Sequence, residues 1–397
     1  MRLGLISWFI RRAGGALLAA ALLASCGGGV DSGGTGAPVT AFASGAISGF
    51  GSVIVAGVHF DDRTAAVADA DGNPRSRDDL RLGMTVEARG SAIVADADGN
   101  PASTATSIVL RSEMTGPVGA SNPAARSLTV LGQTIDIAPT TVFDDALTGG
   151  QAALAIGDVV EVYASVDAAT GHYLATRVER KSGAVVFDLR GLVANLDVVA
   201  RAFSIGATRI SYAGVIAPPT LANGSFVRVA LALAPGAGGV WTATAIGDRT
   251  PALDDRDQAK LEGLVSAFTS TARFSVNGTP VDARAAQFPD GTTGLALGRR
   301  VEVEGATANG VLIASQVRLV SDSQGSGSDF DVRGAIAALD VVRKTFVIRN
   351  VVVGYSGAVD FRSGTALELA VGIEVEARGM LSADGTRLQA TRIDFRR

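Results

Sequence analysis

The sequence predicts an all-β chain of five small tandem barrels that follow a signal peptide and a flexible tether. Two short motifs recur five times at one period, apolar and polar residues alternate in short runs, and the 397 residues include 49 glycines and 12 prolines. Frequent glycine and proline favour short strands and turns over long helices. A fixed period is typical of tandem repeats.

The first motif is Leu-x-x-Gly followed by alternating residues, as in the segment from Leu80 to Gly90, Leu-Arg-Leu-Gly-Met-Thr-Val-Glu-Ala-Arg-Gly. Three of the four intervals between its glycines are identical, and the remaining one is slightly shorter. These glycines are Gly83, Gly157, Gly224, Gly298 and Gly372. We expect the leucine to fill the end of a barrel, and the glycine to adopt positive φ where the chain turns into a strand.

The second motif opens each unit with Gly-x-Ile or Gly-x-Val. The intervals between its glycines agree to within a few positions and match the period of the first motif. They are Gly45, Gly116, Gly191, Gly263 and Gly334. A third segment closes each unit, as at 388–393 (Leu-Gln-Ala-Thr-Arg-Ile). Because independent markers keep one period, a true repeat explains them better than coincidence does.

The fifth unit shows the predicted strand order of three strands, a connection and two strands. The connection, 363–369, is expected to contain one helical turn, and Asp384-Gly385 to form a hairpin turn. The strands are predicted at 332–339, 344–349, 351–355, 373–378 and 388–395. Such a sheet buries one face by curling into a barrel, which also removes open edges. The order fits an OB-like barrel, with an SH3-like barrel as the alternative.

These markers divide the chain into seven segments. The predicted segments are a signal peptide at 1–25, a glycine-rich tether at 26–41, and barrels at 42–112, 113–183, 184–252, 256–321 and 328–397. The segment 321–329 (Ser-Asp-Ser-Gln-Gly-Ser-Gly-Ser-Asp) has the composition of a flexible joint. We therefore expect a string of separate barrels rather than a single core.

The N-terminus predicts lipidation at Cys26. Three arginines, Arg2, Arg11 and Arg12, precede or flank a short apolar run that is too short to span a bilayer. The run ends in Leu23-Ala-Ser-Cys26, which resembles the lipobox of bacterial lipoproteins. The resemblance implies a diacylglycerol thioether on the Cys26 sulfur and cleavage before Cys26. The alternative is an ordinary thiol after an ordinary signal peptide.

Charge and cysteine content exclude several classes of protein. With 35 basic and 39 acidic residues the net charge is −4, and no segment is dense enough in basic residues for nucleic acid. The single cysteine excludes an intrachain disulfide. Membrane lipid, bound through acylated Cys26, is the predicted partner. Because Gly27 stands where Asp would favour inner-membrane retention, the outer membrane is preferred.

The first unit carries a family resemblance. Residues 45–60 read Gly-x-Ile-Ser-Gly-Phe-Gly-Ser-Val-Ile-Val-x-Gly-Val-x-Phe, which resembles the bacterial domain-of-unknown-function family DUF5666. The resemblance extends over about 45–396 and is looser in the third unit, where Arg228 replaces the usual acid. It implies tandem domains in a predicted lipoprotein. It implies no activity, catalytic residue or cofactor.

Candidate metal and catalytic residues are few. His59 and His172 lie in different units at positions that do not correspond, so neither a catalytic triad nor a histidine metal site is expected. The hexapeptide Asp-Ala-Asp-Gly-Asn-Pro occurs at 69–74 and 96–101. It resembles the start of a calcium loop, which makes Asp69, Asp71, Asp96 and Asp98 weak calcium candidates. The rest of that loop is missing, and these residues also form ordinary turns.

Two sets of repeated side chains have structural interpretations. One glutamate follows the Leu-x-x-Gly motif at the same place in four units, as Glu87, Glu161, Glu302 and Glu376. Identical repeated carboxylates suggest the polar face of a strand rather than a catalytic pair in one asymmetric cleft. A phenylalanine precedes the motif in three units, as Phe143, Phe288 and Phe361, and is expected in the core.

These observations favour a non-enzymatic, lipid-anchored envelope protein that binds or scaffolds. Repeats can multiply weak contacts with an envelope polysaccharide or another protein. The alternatives are an envelope spacer without a specific ligand and a calcium-dependent carbohydrate-binding protein. The sequence contains no phosphate loop or dinucleotide fingerprint, and the Gly49-x-Gly51 pair precedes a strand, which is the wrong context for either.

Overall fold

The described chain is built of strands. A computed structural model describes residues 39–248, 253–320 and 330–396, and within these ranges it contains thirty β-strands and four short 3-10 helices. None of the described helices is long and apolar enough to cross a membrane. The all-β prediction is confirmed. The predicted signal peptide and Cys26 lie outside the described residues.

Five barrels follow one another, here numbered 1 to 5. Barrel 1 comprises Thr40–Phe50, Val53–Val55, Val58–Asp61, Ala66–Ala68, Pro74–Arg75, Thr85–Ser91, Val94–Ala95 and Pro101–Leu110. Barrel 2 comprises Met114–Asn122, Ser127–Val130, Gln133–Phe143, Val159–Asp167 and His172–Arg180. Barrel 3 comprises Phe187–Asp197, Ala202–Ile205, Thr208–Ser211, Phe226–Leu231 and Trp241–Asp248. Barrel 4 comprises Arg256–Ser270, Arg273–Val276, Thr279–Asp282, Arg300–Ala308 and Val311–Leu319. Barrel 5 comprises Phe330–Ala335, Ala338–Asp340, Thr345–Ile348, Val351–Gly354, Asp360–Arg362, Glu374–Leu381 and Leu388–Phe395. The 3-10 helices are Arg77–Asp79, Gly150–Ala153, Ala237–Gly239 and Ala366–Glu368.

Every barrel closes in the same order. Numbering its five principal strands along the chain, the first pairs antiparallel with the second and the fourth, the second with the third, and the fourth with the fifth. The third and fifth strands pair parallel, as His59 with Ala102 in barrel 1 and Val353 with Leu388 in barrel 5. This closed order, 1-2-3-5-4-1, is that of an OB-like barrel, so of the two predicted alternatives the structure selects the first.

Alternation along each strand separates a core face from an outer face. On Arg300–Ala308, for example, Val301 and Val303 are fully buried, while Glu302 between them is only half-buried. Successive side chains of a strand point to opposite faces, so a period of two places every second residue inside. The predicted core phenylalanines follow this scheme: Phe143 is buried, and Phe288 and Phe361 are partly buried against the core.

The Leu-x-x-Gly motif takes the predicted conformation. Its glycine has positive φ in every barrel, from +76° at Gly298 to +90° at Gly157. Its leucine is buried in four barrels and partly buried in barrel 3. In each barrel the glycine N–H donates to the carbonyl oxygen two residues after the opening glycine, as from Gly83 to Ile47 at 2.8 Å. The two repeated motifs therefore meet at one hydrogen bond, which explains their common period.

The barrels are not separate along the chain, and the expected string of independent units is wrong. The first strand of barrel 1 pairs parallel with that of barrel 4, as Phe42 with Ala259, and with that of barrel 5, as Phe50 with Val332. The first strands of barrels 2 and 3 also pair, at Met114 and Leu189. Along part of its length, each first strand is hydrogen-bonded to its own barrel on only one edge. The N–H and C=O groups of the other edge can then pair with a neighbouring barrel.

The buried clusters reflect these pairings. One cluster joins barrels 1 and 5, a second joins barrels 2 and 3, and a third belongs to barrel 4 together with Phe42 of barrel 1. Barrel 1 thus contacts both barrels that lie farthest from it in sequence. The described residues form one compact unit.

Candidate functional site

A polar cleft of about 820 Å³ lies between barrels 1 and 5. Its charged walls come from both barrels and contain six carboxylates, four arginines and His59. The acidic residues are Asp61, Asp96, Asp98, Asp331, Glu374 and Glu376, and the arginines are Arg63, Arg333, Arg378 and Arg396. The cleft brings His59, Asp96, Asp98 and Glu376, which the sequence singled out separately, into one place.

Two glycines of the first unit allow barrel 5 to approach. A Cβ on Gly49 would lie 2.3 Å from the carbonyl oxygen of Asp331, and a Cβ on Gly51 would lie 2.8 Å from the Cβ of Arg333. Between them, Phe50 is buried and pairs with Val332 of barrel 5. The Gly-Phe-Gly segment therefore has a packing role, because only glycine permits so close an approach of two strands.

The floor of the cleft is a network of ion pairs around Glu376. The Arg378 Nη2 lies 2.8 Å from one Glu376 oxygen, and the Arg396 Nε donates to the other at 3.0 Å. Burial alone would raise the pKa of Glu376, but the hydrogen bonds and charges of Arg396 and Arg378 outweigh burial and lower it. Only 4% of the Glu376 surface is exposed, so this carboxylate is held in the ionised form by its partners.

Asp331 is the second carboxylate of the floor and is half-buried. Its Oδ2 lies 2.8 Å from the Arg378 Nε. Burial, together with the neighbouring charge of Glu376, raises the pKa of Asp331 to about 6. Two close carboxylates cannot both ionise freely. The cleft therefore contains one carboxyl group that titrates near neutral pH.

The two histidines lie apart, as their positions in the sequence predicted. His59 is half-buried in the cleft, and burial lowers its pKa despite the opposing charges of Asp96 and Glu376. His172 belongs to barrel 2, where its Nδ1 lies 3.0 Å from an Asp136 oxygen.

The two aspartate hexapeptides form the same turn. The Asp69 Oδ1 accepts hydrogen bonds from the N–H groups of Asp71 and Asn73, both at 3.0 Å. The Asp96 Oδ1 accepts the equivalent bonds from Asp98 and Asn100. Carboxylates occupied by backbone donors fit the turn interpretation. Among the residues that the structure describes, no group of three or more His, Cys, Asp or Glu is arranged to hold a metal ion.

The second aspartate of each hexapeptide contacts another barrel. Asp71 pairs with Arg228 of barrel 3, whose Nη2 donates to it at 2.9 Å. Asp98 lies 3.7 Å from the Arg333 Nη1 and 3.8 Å from the Arg396 Nη2 of barrel 5. Arg228, which departs from the repeat pattern, is thereby explained as an inter-barrel contact. The second aspartate of each hexapeptide therefore joins barrel 1 to a neighbouring barrel.

The repeated glutamates have structural partners, in agreement with the sequence interpretation. In barrels 1, 2 and 5 the partner is the basic residue directly after the fifth strand, and in barrel 4 it comes from the first strand. The pairs are Glu87–Arg111 at 2.8 Å, Glu161–Lys181 at 2.6 Å, Glu376–Arg396 at 3.0 Å and Glu302–Lys260 at 3.1 Å. Each pair joins neighbouring strands of its barrel.

Sequence reasoning missed most of the barrel 5 side of the cleft, where it singled out only Glu376. Asp331 and Arg333 on the first strand face Arg378 and Glu376 on the fourth, in register. A signal was present, because charged residues alternate along both segments, Phe-Asp-Val-Arg at 330–333 and Glu-Val-Glu-Ala-Arg at 374–378. Cross-strand pairing of opposite charges is the expected consequence of that alternation.

A model of one protein family is similar to parts of the chain. Three regions of the chain match the model of DUF5666, a domain of unknown function. The matched residues are 115–179, 262–318 and 333–394, which lie in barrels 2, 4 and 5. The predicted resemblance to DUF5666 is confirmed, although barrel 1, whose motif suggested it, is not among the matched regions.

Other comparisons concern whole proteins and solved structures. No curated protein matches the chain. The solved structure of Drosophila Unr CSD456 is similar at 13% identity, over 53% of this chain and 98% of that one, with a TM-score of 0.14. A TM-score this low does not define a common arrangement of domains.

Proposed function

We propose that this protein is a non-enzymatic, lipid-anchored envelope protein whose barrels form one binding scaffold. The observation that carries the proposal is the polar cleft between barrels 1 and 5, which is assembled by strand pairing across the chain. The ligand that suits it best is an envelope polysaccharide. Sugar hydroxyls both donate and accept hydrogen bonds, and the cleft presents arginine donors beside carboxylate acceptors.

The rim of the cleft supports this proposal better than its floor. Asp98, Arg333 and Glu374 each keep between 43% and 53% of the side chain exposed, and their mutual contacts are long, at 3.7 Å. The floor residues Glu376 and Arg378 are held by shorter bonds. A rigid floor with a partly free rim is a preorganised site, which reduces the entropic cost of binding.

The binding scaffold is preferred over the spacer because the chain folds back on itself. Barrel 1 pairs with barrel 5 although the two lie at opposite ends of the repeat array. A spacer gains length from each additional unit, whereas this arrangement brings the last unit to the first. Deleting one barrel should therefore abolish a scaffold's binding, while a spacer would lose activity only in proportion to length.

The absence of catalysis is part of the same proposal. Glu376 is fixed in ion pairs, and the two histidines lie in different barrels. General acid–base catalysis needs a group that can exchange a proton with a bound substrate. Asp331, which titrates near neutral pH, is tied to Arg378 on the floor rather than exposed at the rim.

The anchor is proposed from the sequence. Cys26 follows the lipobox-like segment, and the first strand begins at Thr40, within the segment assigned to the tether. Acyl chains on Cys26 would hold the barrels at an outer-membrane surface without a spanning helix. Labelling cells with a palmitate analogue tests this point: native protein should carry the label, and label that persists in Cys26→Ser would contradict acylation at Cys26.

Binding at the cleft is tested by measuring the affinity of polysaccharides from a Gram-negative envelope for the chain produced from Gly27 onward. The paired variant Asp98→Ala/Arg333→Ala should weaken binding at least tenfold, because it removes two of the three charged residues of the rim. The control is Asp340→Ala/Arg343→Ala, an exposed ion pair on a turn of the same barrel. Equal binding by both variants would place the ligand elsewhere.

A further inference from the structure

A second cavity, of about 360 Å³, lies where barrels 1, 2, 3 and 4 converge. It is separate from the polar cleft, and most of its wall is apolar. The apolar lining comes from four barrels, with Phe42, Val166, Leu192, Phe226, Leu253 and Leu261. A cavity of this size and character, with a few charged groups, is typical of a small-molecule site.

The charged end of this cavity consists of two ion pairs, which differ in the number of hydrogen bonds that hold them. Arg111 holds Glu87 with two bonds, from Nε at 2.9 Å and from Nη2 at 2.8 Å. Arg190 reaches Glu113 through a single contact, from Nη1 to Oε1 at 3.3 Å. The first pair is complete, whereas the second leaves hydrogen-bonding capacity unused.

The unused capacity belongs to buried atoms. The Glu113 Oε2 and the Arg190 Nε have no hydrogen-bond partner among the described residues. The side chains of Arg190 and Glu113 are only 6% and 12% exposed. A buried donor or acceptor without a partner costs about 1–3 kcal/mol, so such atoms in a folded protein call for an explanation.

The charge balance of the cavity favours an anion. Burial raises the pKa of Glu113, although Arg190 and Arg111 oppose the shift. The raised pKa favours the uncharged form of Glu113, so the charge of Arg190 is offset less fully than that of Arg111, which holds Glu87 through two bonds. Neutral Glu113 is also a donor, so Glu113 and Arg190 together could hold a carboxylate.

We propose that this cavity binds a small monoanionic amphiphile, with a carboxylate at Arg190 and Glu113 and an apolar body against Phe42 and Leu261. The charged end and the apolar wall specify the two halves of such a ligand. The four barrels that form the cavity would then be joined by their ligand as well as by their strands. This inference is independent of the polar cleft and of the anchor.

The probe is decanoate, compared with decanol and decyltrimethylammonium as neutral and cationic molecules of similar length. Binding to the chain produced from Gly27 onward is measured by isothermal titration below the aggregation concentration of each probe. Decanoate should bind at least tenfold more tightly than either of the others. Equal affinity for the cationic probe, or no binding of decanoate, would overturn the proposal.

Two variants locate the site. Arg190→Met should weaken decanoate binding at least tenfold, because it removes the charge that the carboxylate would meet. Ala168→Trp places a large ring in the cavity from a turn on its wall and should abolish binding without altering a strand. The control is Ala200→Trp, which places the same ring on an exposed turn of barrel 3 that does not line the cavity.

The tryptophan pair also keeps the test decisive if Arg190→Met fails to fold. Unaltered decanoate binding by folded Ala168→Trp would show that the probe binds an apolar surface elsewhere, which contradicts the proposal. Loss of binding in Ala168→Trp with retention in Ala200→Trp would support it.

Discussion

Arg349 of barrel 5 lies against Asp62 of barrel 1, a carboxylate that is only 2% exposed. The Arg349 Nη1 donates to the Asp62 Oδ1 at 3.3 Å, and its Nη2 donates to Oδ2. The Arg77 Nη2 approaches the same carboxylate at 3.3 Å, and the Arg349 guanidinium lies 4.9 Å from the centre of the Phe50 ring. Two residues near opposite ends of the repeat array are thus joined in the interface between barrels 1 and 5.

Replacement of Arg349 should destabilise the protein. Arg349→Leu leaves Asp62 buried with Arg77 as its remaining partner, and breaking one side of a buried ion pair costs about 3 kcal/mol. Urea unfolding of the native and variant chains measures the loss. The control is Arg343→Leu in the same barrel, whose ion pair with Asp340 is exposed and should give no measurable loss. Equal stability of both variants would contradict this account of the interface.

The glycines of the Leu-x-x-Gly motif should differ in their tolerance of alanine. Gly157 has positive φ but open space around its Cβ position, so Gly157→Ala should cost about 1 kcal/mol of unfolding free energy from backbone strain alone. A Cβ on Gly83 would also lie 2.4 Å from the Thr176 carbonyl oxygen and 2.8 Å from Val142. Gly83→Ala should therefore cost clearly more than Gly157→Ala in urea unfolding, and the reverse order would refute the argument.

Gly49→Ala should loosen barrel 5 from barrel 1. Its Cβ would lie 2.3 Å from the Asp331 carbonyl oxygen, so the paired strands must separate. Hydrogen exchange should become faster at Phe50 and Val332, while barrel 2 is unaffected. Gly119→Ala, in the first strand of barrel 2, is the control because its nearest atoms lie at ordinary contact distances of 3.7 and 3.8 Å. Unchanged exchange in Gly49→Ala would mean that the close approach does not hold the two barrels together.

The pKa of Asp331 predicts a dependence of stability on pH. This pKa is raised from 3.8 to about 6 on folding, so the native state binds the proton more tightly than the unfolded chain. The favourable contribution is complete below about pH 4 and is lost as the pH rises through 6. In Asp331→Asn this loss is absent. The free energy of unfolding of the variant, relative to native, should rise by about 2 kcal/mol between pH 4 and 7.

Urea unfolding at several pH values tests this prediction. Comparing the two chains at each pH removes the contribution of titrating groups that do not interact with Asp331. Glu376 interacts with Asp331, and its lowered pKa acts in the opposite direction, so its response remains part of the difference. A difference between the chains that does not vary with pH would show that Asp331 titrates normally.

The sequence by itself determined the repeats and much of each barrel. Alternation of period two located the strands, and the Leu-x-x-Gly glycines required positive φ, as observed from Gly83 to Gly372. These features are local, because a strand's face and a turn's φ depend on neighbouring residues. Their fivefold repetition made the pattern visible above chance, and it also indicated a family whose model matches three of the barrels.

Only the tertiary structure decided how the barrels meet. The contacts depend on residues that differ between repeats: Gly49 has Ala338 as its counterpart four residues after the opening glycine of barrel 5, and Arg228 replaces a repeated glutamate. A repeat pattern records what the units share, whereas an interface uses what distinguishes them. The polar cleft and the four-barrel cavity are lined by residues that differ between repeats. Pairing between the exposed edges of the first strands brings these distant parts of the chain together.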